Sequence, residues 1–248
     1  MRHLLVIAIA LASCGVSPHA QSQEEAGVSN KGMAWVVTGL PCTVEYLSTN
    51  TQTLSNGTRI ISTQRSRAIR DSQGRVRTEM YPPSTARKKS DEPDFVYILD
   101  PVAQRKVNLS SRTKIALVTE ERIPVLRPSS PLPVESQSPN PGGASQPSHP
   151  ESTKEAIPGK AFNGLEAAGT RTTLTFPVGW VGNDQPIRNT TDVYISRALH
   201  ILVFSQSESV LNGDDVMEIT QLDRGEPDSS LFQIPDGYAV TESSARSH

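Results

Sequence analysis

Alternation of polar and apolar positions is densest between Thr58 and Tyr81, in TRIISTQRSRAIRDSQGRVRTEMY. Side chains two apart share a face of a strand, so the stretch reads as two long strands. Between them Asp71-Ser72-Gln73-Gly74 fits a type I turn closed by a left-handed glycine, the loop of a bulged hairpin. The loop sets a register in which Asp71 faces Arg75, Ile69 faces Arg77, Arg67 faces Glu79 and Arg65 faces Tyr81. Ser66, Ala68, Val76, Thr78 and Met80 make up the smaller, more apolar side, which is expected to look inward. The Arg67/Glu79 pair is expected in water on the other side, where such a pair contributes about a few tenths of a kcal/mol.

The same pattern recurs along the chain. Met33 to Val37 is a candidate edge strand; Cys42 to Leu47 alternates and Thr49 to Leu54 is threonine-rich, and both favour strand. Asn56-Gly57, a strong hairpin signal, folds it back onto the next one. Asp94 to Leu99, Arg105 to Leu109 and Lys114 to Thr119 are three further strands, followed in the second half by Gly169 to Phe176, Thr191 to Ser196, Ile201 to Ser205 and Val216 to Leu222. No stretch sustains the three-and-four spacing of an amphipathic helix, and Ser152 to Ile157 amounts to one turn at most. Leu231, Phe232, Ile234 and Tyr238 are candidate anchors that would lock the last segment onto a sheet. The fold class is mainly β, with the pieces sharing one curved antiparallel sheet.

Composition divides this sheet. Residues 124–155 hold eight prolines, seven serines and two glycines. Such a segment buries too little apolar surface to offset its chain entropy, so it is expected to be a disordered Pro/Ser-rich insert. The expected organisation is a leader at 1–20, a flexible spacer at 21–32, the halves of the β domain at 33–123 and 156–240, and a disordered tail at 241–248. The net charge of −2 argues against a nucleic-acid partner. Charge is unevenly spread: between positions 59 and 89 nine Lys or Arg stand against Asp71 and Glu79, and between 208 and 242 nine Asp or Glu stand against Arg224.

The leader is legible from its parts. Met1-Arg2-His3 is positive and Leu4 to Ala12 is apolar, a run too short to span a bilayer, so the chain is expected to be exported. Leu11-Ala12-Ser13-Cys14 also matches the bacterial lipobox, which would acylate Cys14 and hold the protein at the outer membrane; ordinary cleavage before Gln21 would release it into the periplasm. Cys42, the other cysteine, reads as a small buried apolar residue, or as a thiol available for pairing between chains.

Several stretches resemble uncharacterised exported bacterial β-rich proteins: G-T-x-I at 57–60, R-D-S-Q-G-R-x-R-x-E at 70–79, Asp100-Pro101, G-T-R-x-T at 169–173, G-N-D-x-P-I at 182–187 and E-P-D-x-S-L-F-x-x-P-x-G-Y at 226–238. The strand order and the closing L-F-x-x-P-x-G-Y are similar, more distantly, to the periplasmic lipoprotein-carrier superfamily of LolA and LolB type. That resemblance implies an incomplete β-barrel around a hydrophobic cavity.

Chemistry is sparse. Of five histidines only His200 falls in an expected element, and with Cys42 it cannot assemble a metal site of three or four ligands. Asn212-Gly213-Asp214-Asp215 lacks the alternation of a calcium loop and reads as a turn. There is no G-x-S-x-G, no phosphate cradle, and no companion motif for Ser111-x-x-Lys114, so neither an enzyme nor a bound cofactor is expected. Binding remains. Arg65, Arg67, Arg70, Arg75 and Arg77 form a candidate ribbon for phosphates or lipid headgroups, or a charged face that keeps the hairpin from pairing with strangers. The leading expectation is a non-enzymatic envelope protein binding an acyl chain, a lipid or a lipoprotein tail. The alternative is an envelope interaction or structural module that engages protein partners through its basic hairpin and acidic carboxyl-terminal half.

Overall fold

The computed structural model describes residues 35–84, 91–128 and 149–243. The expected leader, Cys14, the spacer and residues 129–148 of the insert lie outside the described residues. The fold is mainly β. Its strands are β1 (Cys42–Thr53), β2 (Arg59–Arg70), β3 (Val76–Met80), β4 (Phe95–Asp100), β5 (Arg105–Ser110), β6 (Ile115–Glu120), β7 (Glu151–Phe162), β8 (Leu165–Phe176), β9 (Ile187–Ser196), β10 (Ile201–Glu208), β11 (Asp214–Asp223) and β12 (Ala239–Ser243). They form one sheet in the order β12-β6-β5-β4-β3-β2-β1-β11-β10-β9-β8-β7. The strands on either side of the insert therefore share a single sheet, joined where β1 pairs with β11. Its edges, β12 and β7, do not pair, so the sheet is not closed into a barrel.

The opening hairpin has the expected register. Arg67 faces Glu79 and Ile69 faces Arg77, and Gly74, at φ 84°, donates its N–H to Asp71 O at 3.1 Å. Only a residue without Cβ takes that backbone conformation without strain. Asn56-Gly57 closes β1 onto β2 over twelve paired positions.

The structure corrects several expectations. Residues 151–155, assigned to the insert by composition, begin β7, so the Ser152–Ile157 stretch is strand and not a turn of helix. β7 is an edge strand with mostly exposed side chains and a register shift between Ile157 and Lys160, so it lacks the apolar alternation that would have marked it. Thr241–Ser243, assigned to the tail, belongs to β12, which runs parallel to β6 and makes the sheet mixed where it was expected to be wholly antiparallel. Of the Met33–Val37 stretch, the described part contributes one bridge, Val37 to Leu126.

Two apolar clusters hold the sheet, and β2 contributes to both. Ala68 joins Val44, Tyr46, Val76, Leu202 and Ile219 in the first; Ile69 joins Val96, Ile98, Val107, Leu109 and Phe232 in the second. Consecutive residues of a strand point to opposite faces, so the packed face changes sides along the β2–β3 hairpin. The segment from Asp228 to Tyr238 makes a single 3-10 turn, Ser229–Phe232, capped by Asp228, and lays Leu231, Phe232, Ile234 and Tyr238 onto the second cluster.

Candidate functional site

The five arginines proposed as an anion ribbon lie on β2, β3 and the loop between them, and each meets groups of the protein itself. Arg70 is 0% exposed. Its Nε donates to Leu40 O at 2.8 Å, Nη1 to Trp35 O at 2.9 Å and His200 O at 3.3 Å, and Nη2 to Leu199 O at 2.6 Å. Burial lowers the pKa of the guanidinium, and four carbonyls take the place of a carboxylate partner. Arg75 donates to Asp71 Oδ2 at 2.6 Å and lies 4.8 Å from the Phe232 ring. Arg77 bonds Glu79 at 2.7 Å and the carbonyl of Leu231 at 2.9 Å.

Glu79 is the hub of this face. It also accepts from the Tyr81 hydroxyl at 2.9 Å, and Arg67 Nε lies 3.1 Å from its Oε2 without the alignment of a hydrogen bond. Burial, followed by the Glu79 charge, pushes the Tyr81 phenol above its ordinary range. Arg65 covers the Tyr81 ring at 4.1 Å. The expectation that Arg67 and Glu79 sit in water is therefore corrected. Glu79 and Arg77 are 4% and 8% exposed, because the carboxyl-terminal segment folds across this side of the hairpin. Arg65 and Arg67 keep about a third of their side chains exposed, which is too little for a ribbon of five open guanidinium groups.

The residues scanned for catalysis are likewise engaged. His200, at φ 50° in the β9–β10 turn and 2% exposed, has Nε2 3.0 Å from Pro128 O, while its buried Nδ1 has no hydrogen-bond partner among the described residues. Ser111 donates to Pro93 O at 2.6 Å, and Lys114 lies 5.2 Å from the Tyr238 ring. Among the described residues no group of three or more His, Cys, Asp or Glu is placed to hold a metal. Cys42 is wholly buried, which removes it from pairing between folded chains.

One open apolar surface lies on β3 to β6 and was not singled out from the sequence. Across β3 to β6 the register sets Met80, Phe95, Ser110 and Ile115 in one row, with Thr78, Tyr97, Asn108 and Leu117 in the next, on the face opposite the second cluster. Phe95 and Ile115 are each 44% exposed; Met80, Tyr97 and Leu117 are half-buried. In their midst the Asn108 Oδ1 is buried and has no hydrogen-bond partner among the described residues. A desolvated acceptor framed by open apolar side chains suits a molecule with a hydrocarbon part and a donor. The signal was present in Phe95-Val96-Tyr97-Ile98-Leu99: an uninterrupted apolar run supplies both faces of a strand. Under the carboxyl-terminal segment, by contrast, Phe232 and its neighbours fill the space. A second recess, about 540 Å³, opens at the β7–β8 bulge and is lined by Ala156, Ile157, Ala167, Gly169 and Arg197 among others.

No protein-family profile and no curated protein sequence matches the chain. Solved structures do show a distant similarity in fold. An uncharacterised conserved protein from Thermus thermophilus aligns at 9% identity and TM-score 0.41, covering 81% of this chain and 91% of that one. MucB in complex with the periplasmic part of MucA aligns at 14% identity and TM-score 0.38, covering 78% of this chain and 54% of that one. A LolA superfamily protein from Nitrosomonas europaea aligns at 8% identity and TM-score 0.27, covering 80% and 92%.

Proposed function

We propose that the protein is a non-enzymatic, exported component of the cell envelope that holds an acyl chain or the lipid tail of a lipoprotein against the open face of β3 to β6. It would reside in the periplasm, or at the outer membrane if Cys14 is acylated. The observation that carries the reading is the open apolar row of Met80, Phe95, Tyr97, Ile115 and Leu117 around the unpaired Asn108 Oδ1, to which the amide N–H of an N-acylated lipoprotein terminus would donate. Phe95 and Ile115 are each 44% exposed, so covering what remains of each with a hydrocarbon chain is worth on the order of 1 kcal/mol, before the cost of immobilising the ligand. The alternative, docking of protein partners on the basic hairpin, finds the arginines of that hairpin engaged within the protein.

The test is native mass spectrometry of the full chain after gentle purification, with uptake of a fluorescent fatty acid. Bound lipid or saturable uptake is expected, with affinity falling about tenfold or more in Phe95→Asp. A protein that is consistently empty and takes up no probe would falsify the reading.

A further inference from the structure

Thirteen large apolar side chains are exposed among the described residues, and eight of them lie at one end of the sheet. The register requires this. β1 and β11 pair from Thr51 with Asp214, β10 and β9 from Glu208 with Thr190, and β9 and β8 from Ile187 with Phe176. The β1–β2, β10–β11 and β8–β9 connections therefore project side by side. The first carries Leu54, with Ile60 and Ile61 beside it at the start of β2, 45% to 57% exposed. The second carries Val210, at 79%, and Leu211; the third carries Val178, Trp180 and Val181. With strands roughly 4.8 Å apart, neighbouring tips are about 10 Å apart and the row is about 20 Å long.

These tips are built turns. Leu54 N–H donates to Thr58 O and Gly57 N–H to Leu54 O; Gly213 N–H donates to Ser209 O. In the third loop Gly179 N–H donates to Asn183 O, while the Asn183 side chain accepts from Val181 N–H and donates to Pro177 O and Gln185 O. Gly213, at φ 80°, packs so closely that a Cβ there would lie 2.5 Å from Thr51 O. Part of each turn's backbone is thus paired internally, which lowers the cost of approaching a water-poor medium, where an unpaired amide is expensive. The charged residues around the tips are Arg59 and Arg188 against Glu151, Asp184, Glu208, Asp214 and Asp215, a balance that repels anionic surfaces.

We infer that this row of hairpin tips is a docking surface for a lipid bilayer, entered by Leu54, Trp180, Val210 and Leu211 to the headgroup–acyl boundary. Separate apolar points, each on its own turn, with gaps between them, match a fluid surface that needs no shape complementarity. A tryptophan among them suits the interface, where its ring is apolar and its N–H is wet. The attraction is hydrophobic and not electrostatic, so it needs no anionic lipid and survives high salt. This surface is distinct from the β3–β6 face, and its failure would leave the ligand reading untouched.

Phosphatidylcholine vesicles carrying brominated acyl chains test it with the full chain, because the two tryptophans lie at opposite ends of the sheet. Trp35 is beside the β9–β10 turn, where its N–H donates to His200 O. Vesicle binding with quenching of Trp180 is expected, lost in Trp180→Phe and kept in Trp35→Phe. Leu211→Asp should weaken partitioning about tenfold or more with the unfolding midpoint unchanged. Four outcomes overturn the inference: absence of binding, quenching confined to Trp35, attachment unaffected by Leu211→Asp (which assigns it to the leader), and self-association removed by Leu211→Asp without vesicle binding (which assigns the tips to a protein contact).

Discussion

The two ends of the sheet are made from the same kind of hairpin and end up in opposite conditions. At the end holding the β2–β3 and β9–β10 turns, Asp71 and Gly74 are buried, Arg70 gathers four carbonyls, the Tyr46 hydroxyl donates to Leu202 O, and Ser72 binds Glu226. At the other end Asn56-Gly57 and Asn212-Gly213 close turns held mainly by bonds within a few residues, with Asn50 Nδ2 donating to Asn212 O at 3.3 Å across from β1, while apolar side chains point outward. Burial along β1 falls from Cys42 to Thr53, and along β2 it rises from Arg59 to Arg70. Turn chemistry decides that a hairpin forms. Whether another segment crosses it decides whether it is a structural joint or an exposed probe.

The largest effect should come from the joint. Arg70→Met leaves the carbonyls of Leu40, Trp35, Leu199 and His200 facing an apolar side chain, and a stability loss on the order of 3–5 kcal/mol is expected in urea unfolding. Arg70→Lys should recover little of it, since an ammonium cannot reach four acceptors from one plane. A loss below about 1 kcal/mol would mean that this end is not the joint described.

Next comes the alkaline limb. Burial raises the pKa of Cys42, Tyr46 and Tyr81 above ordinary values of 9.0 for the thiol and 10.0 for the phenols. Because the folded values are the higher ones, the contribution of these groups is complete below about pH 9 and is lost as the pH climbs through the raised values. The urea midpoint should therefore decline above about pH 9, and in Cys42→Ala the onset should move toward about pH 10. An unchanged onset would show that Cys42 does not limit stability there. The smallest effect belongs to the free end. Leu54→Ser and Val210→Ser should each change stability by less than about 0.5 kcal/mol, and a larger loss would show the tips to be part of the packing.

The architecture was legible wherever local chemistry and burial agreed. Asp71-Ser72-Gln73-Gly74 specified its register because a tight loop leaves little choice, and Leu231, Phe232, Ile234 and Tyr238 stood out as anchors because nothing nearby explained so many apolar residues in a polar tail. β7 was not legible, since an edge strand has no buried face to impose alternation. The faces of the β2–β3 hairpin were half legible. Ala68 and Val76 pointed inward as expected, but a segment about 150 residues further along buries Arg77 and Glu79 as well, a distant contact that alternation cannot report. The β3–β6 face escaped notice for a related reason: Phe95 and Ile115 look like core residues until the elements that leave them uncovered are known.

The insert's two flanks have different moorings. The carbonyl of Pro128 is held by the His200 ring beside the β9–β10 turn, whereas His149 meets the Trp180 indole at 5.7 Å beyond the far tip of β8. The gap is roughly 30 Å, the length of β10 with the loops at its ends. The sheet itself therefore holds these two flanks apart, one at each end of β10.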